Sequence, residues 1–133
     1  MGDSATCSNV EMKRKPSLAA LRRKLDNVFS RYIRRRDGGS NAIGTCITCN
    51  KRALLQAGHF IPRQHRVTRW HPDNVHGQCA YCNCWGHGEQ AAYYLALVKK
   101  IGQAKVDELM RLKRTTVKHT RQDLEELIRK YTP

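Results

Sequence analysis

Apolar residues in the first third of the chain recur at steps of three and four: Leu18, Leu21, Leu25, Val28, Phe29, Tyr32 and Ile33. That spacing predicts a long amphipathic helix opened by Pro16, capped by Ser17 and ended by Asp37-Gly38-Gly39-Ser40-Asn41. The period then changes. Ala53-Leu54-Leu55-Gln56-Ala57 leads into Gly58-His59-Phe60-Ile61-Pro62, a short apolar run expected to be a strand with His59 at its end. Arg63 to Pro72 is polar and basic and reads as an exposed loop. Asn74 to Gln78 reads as a second strand, on which alternation points Asn74, His76 and Gln78 the same way. A helix is expected from Tyr81 to Gly88, with Asn83 in or near its first turn. Three further helices follow, over Glu89–Lys100, Gln103–Arg114 and from Thr120 onward. Their inward residues are Tyr93, Tyr94, Leu97, Val98 and Ile101, then Val106, Leu109, Met110 and Leu112, then Leu124, Leu127, Ile128 and Tyr131. The fold class is therefore α+β and mostly helical. Residues 1–15 read as a flexible basic lead, and 16–133 as one domain.

Cysteine spacing adds a metal to this picture. Cys46-Ile-Thr-Cys49 and Cys79-Ala-Tyr-Cys82 are two CxxC turns with 29 residues between them, the spacing of a four-thiolate zinc site. Four cysteines close the coordination shell, so this zinc is expected to be structural. No run of 18 apolar residues and no signal-peptide core is present, which points to the cytosol, where such cysteines read as metal ligands and not disulfides. Cys84, two residues on, is the alternative ligand; Cys7 receives no role.

Charge points to the partner. Lys and Arg number 25 against 11 Asp and Glu, a net charge of +14, which suggests nucleic acid before membrane. Arg22, Arg23, Lys24, Arg31, Arg34 and Arg35 share the polar surface of the first helix. They are either a solvated face or a DNA-backbone contact, and their single sign favours the contact. Arg63, Arg66 and Arg69 are candidate phosphate clamps, while Trp70 either stacks on an opened base or packs.

Between the zinc turns lie His59, Asn74 and His76, and Asn83 follows the last ligand. In this order the chain resembles the HNH (ββα-metal) nucleases. Among them it resembles the endonuclease VII type and, more closely, the phage lambda NinG/Rap recombination family. The residues that carry the likeness are Tyr32-Ile33-Arg34-Arg35-Arg36-Asp37, Ala57-Gly58-His59-Phe60, Asn74-Val75-His76-Gly77-Gln78-Cys79 and Ile101-Gly102-Gln103-Ala104-Lys105-Val106-Asp107-Glu108. The likeness runs from about Lys15 to the C-terminus.

The resemblance implies a zinc-stapled ββα module over residues 46–88, flanked by the basic helix (16–37) and a helical part (89–133). It implies a metal-dependent DNA endonuclease cutting branched recombination intermediates such as Holliday junctions and D-loops in the cytoplasm of a phage-infected bacterium. His59 takes the place of the general base, Asn74 of the residue bracing the loop, and Asn83 of a divalent-metal ligand. One departure is Gly58, where endonuclease VII-type enzymes carry an acid; another is Gln56, where NinG carries Asp. The catalytic metal, Mg²⁺ or Mn²⁺, is then left to Asn83, with Asp73 or His76 as further ligands; His76 is equally a core residue or a neighbour of the zinc. Two nicks at a junction suggest a homodimer, and a recombinase partner is possible. The alternatives are a non-catalytic zinc module that binds nucleic acid and, more weakly, an adaptor whose C-terminal helices contact protein.

Overall fold

The computed structural model describes residues 14–86 and 89–133. Most of the expected lead, with Cys7, and the expected helix end at His87 and Gly88 lie outside the described residues.

The fold is α+β and mostly helical. Its first helix, α1, spans Leu18–Gly38, and the Ser17 hydroxyl accepts from the Ala20 N–H at 3.0 Å. This satisfies one of the donors that a helix start leaves unpaired. Leu21, Leu25, Val28, Phe29 and Ile33 are buried as the periodicity requires, whereas Leu18, in the opening turn, stays exposed. The last helix, α5 (Arg121–Tyr131), opens with a reciprocal capping box between Thr120 and Asp123. It lays Leu124, Ile128 and Tyr131 against α1. Phe29 and Tyr131 meet edge to face, their ring centroids 4.8 Å apart. Truncating a residue such as Leu25 in this core would cost about 2–5 kcal/mol.

Two small antiparallel sheets sit beside α1. In the first, β1 (Ile43–Thr45) pairs with β2 (Arg52–Leu54) and carries the first CxxC turn at its tip. The sequence pattern does not announce β1: three residues are too few to show a period. In the second, β3 (Gln56–His59) pairs with β4 (Val75–Gln78), with Gly58 opposite His76 and His59 opposite Val75. Directly opposed residues share a face. His59, Ala57, Val75 and Gly77 therefore point one way, and Gln56, Gly58, His76 and Gln78 the other. Ala57 and Val75 join the core made by α1 and α5. The opposite face meets α3 (Gln90–Ile101), where buried Tyr93 donates to the Gly58 carbonyl at 2.7 Å. With α4 (Gln103–Lys113), α3 closes a second core of Phe60, Ile61, Tyr93, Leu97, Val106 and Leu109.

α1 also clamps β4. Arg36 donates to the carbonyls of Pro72 (2.9 Å) and Val75 (2.7 Å). Asp37 pairs with Arg36 and accepts the Gly77 N–H at 2.7 Å. Gly77 has no room for more, because a Cβ there would lie 2.6 Å from the Leu55 side chain.

Two stretches depart from the sequence expectation. Residues 63–72 are only partly exposed: they hold a four-residue helix, α2 (Arg66–Arg69), and bury Thr68 and Trp70. Trp70 belongs to the α1 core and packs edge-on to His119, which settles its role as packing. The expected α-helix after the second CxxC is instead a wide turn over Tyr81–Trp85, with the Gly86 N–H reaching back to the Tyr81 carbonyl at 2.7 Å. Cys79 and Cys82 must face one sulfur cluster there, and this constraint overrides ordinary helical spacing. Among the described residues, no helix is long and apolar enough to cross a membrane.

Candidate functional site

Cys46, Cys49, Cys79 and Cys82 converge, their sulfurs all within 4.8 Å of one another. A tetrahedron with metal–sulfur bonds of about 2.3 Å has edges of about 3.8 Å. The Cys49–Cys79 separation is 3.8 Å. Burial pushes the Cys46 thiol up, but the backbone groups of Cys49, Cys79 and Thr48 more than offset this and bring it down to about 7. Burial and the neighbouring thiols push Cys82 up. One thiolate is thus favoured and further ones are penalised, a conflict that a divalent cation relieves. The four cysteines fit a metal such as zinc. Cys84 is exposed and donates to Gln56 Oε1 at 3.3 Å, outside the cluster.

The other chemistry lies where β3 meets α1. His59 is half-buried at the end of β3, with Nε2 at 2.9 Å from the Arg69 carbonyl oxygen. A carbonyl only accepts, so Nε2 carries the hydrogen and Nδ1 keeps its lone pair. Burial lowers the His59 pKa below its ordinary value; the Arg69 carbonyl opposes this, Arg63 adds to it and Asp26 opposes it. The imidazole is therefore neutral at neutral pH. It lines a cavity of about 180 Å³ with Asp26, Asn27, Ser30, Ala57 and Arg63. A neighbouring cavity measures about 510 Å³. It is lined by Arg34, Gln56 and Asn83 and shares Ser30 and Ala57 with the first. Together they form a groove along α1 with His59 towards one end and Asn83 towards the other.

Asn74 is fully buried and acts as a brace. Its Oδ1 accepts the Ile61 N–H at 2.8 Å, and its Nδ2 donates to the Ile61 and Thr68 carbonyls at 3.0 Å each. The side chain thereby ties the start of the 62–70 segment to its end. Asn83 donates from Nδ2 to Gln56 Oε1 at 2.8 Å, and its Oδ1 accepts no hydrogen bond among the described residues.

Other candidates lie elsewhere. His76 is buried on the face away from His59, with Nδ1 at 3.4 Å from the Tyr93 hydroxyl. Burial, followed by the charges of Arg36 and Lys100, lowers its pKa to about 3. His76 lines neither cavity, and a metal bridging it to His59 would have to pass through the sheet. Asp73 sits in the Pro72–Asn74 turn and also lines neither cavity. Gly58 is the slot for a neighbour: a Cβ there would overlap the Gln78 carboxamide and lie 2.9 Å from Gln78 Cγ. A carboxylate at that position would displace Gln78, whose Nε2 is bonded to Thr48 at 2.7 Å.

Of the basic candidates, Arg23, Arg31, Arg35, Arg63 and Arg66 are exposed, and Arg22 and Arg34 half-buried. None of them forms an ion pair among the described residues. Arg69 differs. Its guanidinium is committed to Asp26, with Nε to Oδ1 at 3.0 Å and Nη2 to Oδ2 at 2.5 Å, and it lies over the Trp70 ring. A phosphate would have to break that pairing, so Arg69 is an internal tie. Sequence reasoning missed Asp26 and Ser30, and named Gln56 only as a departure from the family pattern. One signal was available: Asp26 is the lone acid between Lys15 and Arg36.

The family described as Bacteriophage Lambda NinG protein matches residues 8–133. The chain is 33% identical over 81 residues to Protein ninG of Escherichia phage lambda, a match covering 59% of this chain and 38% of the relative. Protein ninG of Escherichia phage 933W and that of Enterobacteria phage VT2-Sa match with the same identity and coverage. The match therefore spans well under half the length of these relatives. No solved structure matches the chain.

Proposed function

Because this chain belongs to the Bacteriophage Lambda NinG protein family, we propose that it is a divalent-metal-dependent DNA endonuclease with an HNH-like site, acting on branched DNA. The observation that carries the reading is the arrangement of His59, whose Nε2–H is held by the Arg69 carbonyl while Asn83 lines the same groove. A phosphodiester hydrolase needs a proton acceptor for water, positive charge around the phosphate and a brace for both. His59, neutral at neutral pH, accepts the proton at Nδ1. Arg63 and Arg34 flank the groove and balance phosphate charge. Asn74 fixes the segment that supplies the Arg69 carbonyl.

Asn83 Oδ1 and Gln56 Oε1 are the oxygens that would hold Mg²⁺ or Mn²⁺. Bound there, the cation would supply charge stabilisation to the phosphate. The exposed arginines of α1 would carry the flanking DNA, and two copies of the chain would deliver the two nicks a junction requires. A branched substrate and a recombinase partner are what the family resemblance implies.

One observation favours the second reading, a non-catalytic DNA-binding module. Asp26 is the sole carboxylate among the groove's lining residues, and Arg69 and Trp70 occupy it. Cleavage of a labelled four-way junction and of a linear duplex with the same arms, in EDTA, Mg²⁺ and Mn²⁺, separates the two. The nuclease reading expects metal-dependent cutting that favours the junction; binding without cutting in every metal supports the second reading.

A further inference from the structure

We infer that Asp26, on α1 and outside the β3–β4 hairpin, is a positioning residue for His59: it anchors the Arg69 backbone whose carbonyl fixes the imidazole. The role rests on the nuclease reading, but the geometry stands without it.

The link is a chain of short contacts. Asp26 Oδ1 accepts from Arg69 Nε at 3.0 Å and from Trp70 Nε1 at 2.9 Å, while Oδ2 accepts from Arg69 Nη2 at 2.5 Å. One carboxylate thus grips two consecutive residues. The Arg69 guanidinium stacks over Trp70, 5.0 Å from its centroid, and Trp70 is buried in the α1 core. Between these two side chains lies the carbonyl that accepts from His59 at 2.9 Å.

The local backbone cannot hold that carbonyl alone. Arg69 is the last residue of a four-residue helix, too short to be stable by itself. Asn74 ties Thr68 from one side, and Asp26 ties Arg69 and Trp70 from the other. A planar acceptor fixed on both sides selects the Nε2–H tautomer and stops the ring turning, so Nδ1 stays directed to the groove. The lone acid between Lys15 and Arg36, on a helix rich in arginine, is explained by this task. The charged groups facing His59 are Arg63 and Arg69 from the 62–70 segment and Asp26 from α1.

The test uses the zinc-loaded chain, wild type and Asp26→Asn, with Arg69→Met as a second variant that keeps the backbone carbonyl. Nitrogen-15 NMR of the His59 ring, recorded without DNA, reads the tautomer. Wild type is expected to hold the Nε2–H form, and each variant to show a mixture of both. Junction cleavage by either variant should lose about tenfold to a hundredfold in kcat with KM nearly unchanged. The acid limb of the pH profile should move lower in Asp26→Asn, which removes a negative charge near the ring, and higher in Arg69→Met, which removes a positive one. The double variant should cost no more than either alone. A single Nε2–H tautomer and an unchanged kcat in both variants would overturn the proposal, leaving the Asp26–Arg69 pair as an ordinary tie. If Asp26→Asn does not fold, Arg69→Met decides on the same readouts. A wild type that binds DNA without cutting would sink the nuclease reading, while the tautomer measurement would still decide the Asp26 link.

Discussion

Asn83 and Gln56 touch side chain to side chain across the end of the groove, Nδ2 to Oε1 at 2.8 Å. Two neutral amides therefore occupy the place where a hard cation would meet the chain. Neutral oxygens bind Mg²⁺ or Mn²⁺ weakly unless a phosphate completes the shell. Gln56→Asp puts a carboxylate beside Asn83 and should raise Mn²⁺ affinity in the absence of DNA by about tenfold or more. Electron paramagnetic resonance of Mn²⁺ against the zinc-loaded chain reads this directly. No gain in affinity would remove Gln56 and Asn83 from the metal site.

The thiol cluster makes an independent prediction. Cys79→Ser breaks a shell whose members lie within 4.8 Å of each other. It should abolish stoichiometric zinc and the cooperative melting transition, because folding and metal binding are coupled in small zinc-stapled cores. A variant with a native melt and no zinc would mean that the cluster is dispensable for folding.

Much of this was legible in the sequence. The three- and four-residue steps from Leu18 to Ile33 fix α1, and paired CxxC turns fix the thiol cluster. What was not legible depends on contacts between distant segments. Asp26 and Arg69 are 43 residues apart, and only folding reveals that Arg69 answers to Asp26 and not to phosphate. Strand alternation placed Asn74 with His76, but Asn74 lies in the turn before β4, where its side chain braces residues 61 and 68. Arg63–Pro72 reads as an exposed loop because it is basic, yet Trp70 is pulled into the α1 core. Residues Tyr81–Trp85 look helical until two cysteines must turn to one sulfur cluster.

The exposed arginines of α1 predict a salt signature. Arg31 and Arg35 have no ion-pair partner among the described residues. Arg31→Glu with Arg35→Glu should weaken DNA binding irrespective of sequence and flatten the log–log salt dependence by about two units. Titrations at several salt concentrations measure the slope. An unaltered slope would return α1 to a solvated face.

Buried His76 predicts how stability depends on pH. Its folded pKa is depressed to about 3 by burial and by the charges of Arg36 and Lys100. The unfolded chain therefore binds more protons below about 6.5, and stability falls as pH drops from there towards 3. By pH 5 this one group removes about 2 kcal/mol. Melting curves at pH 7.5 and pH 5 should show a larger loss for wild type than for His76→Gln. Equal losses would mean that His76 is charged or solvated in the folded chain.

A His59 that takes the proton in phosphodiester cleavage has a direct kinetic signature. The direct test is single-turnover cutting of a four-way junction by wild type and His59→Ala, with DNA affinity and zinc content measured on the same samples. The variant should lose a factor of about a hundred or more in rate, with affinity and zinc unchanged. Equal rates, or a variant that loses binding along with cutting, would contradict that role and make His59 part of the architecture.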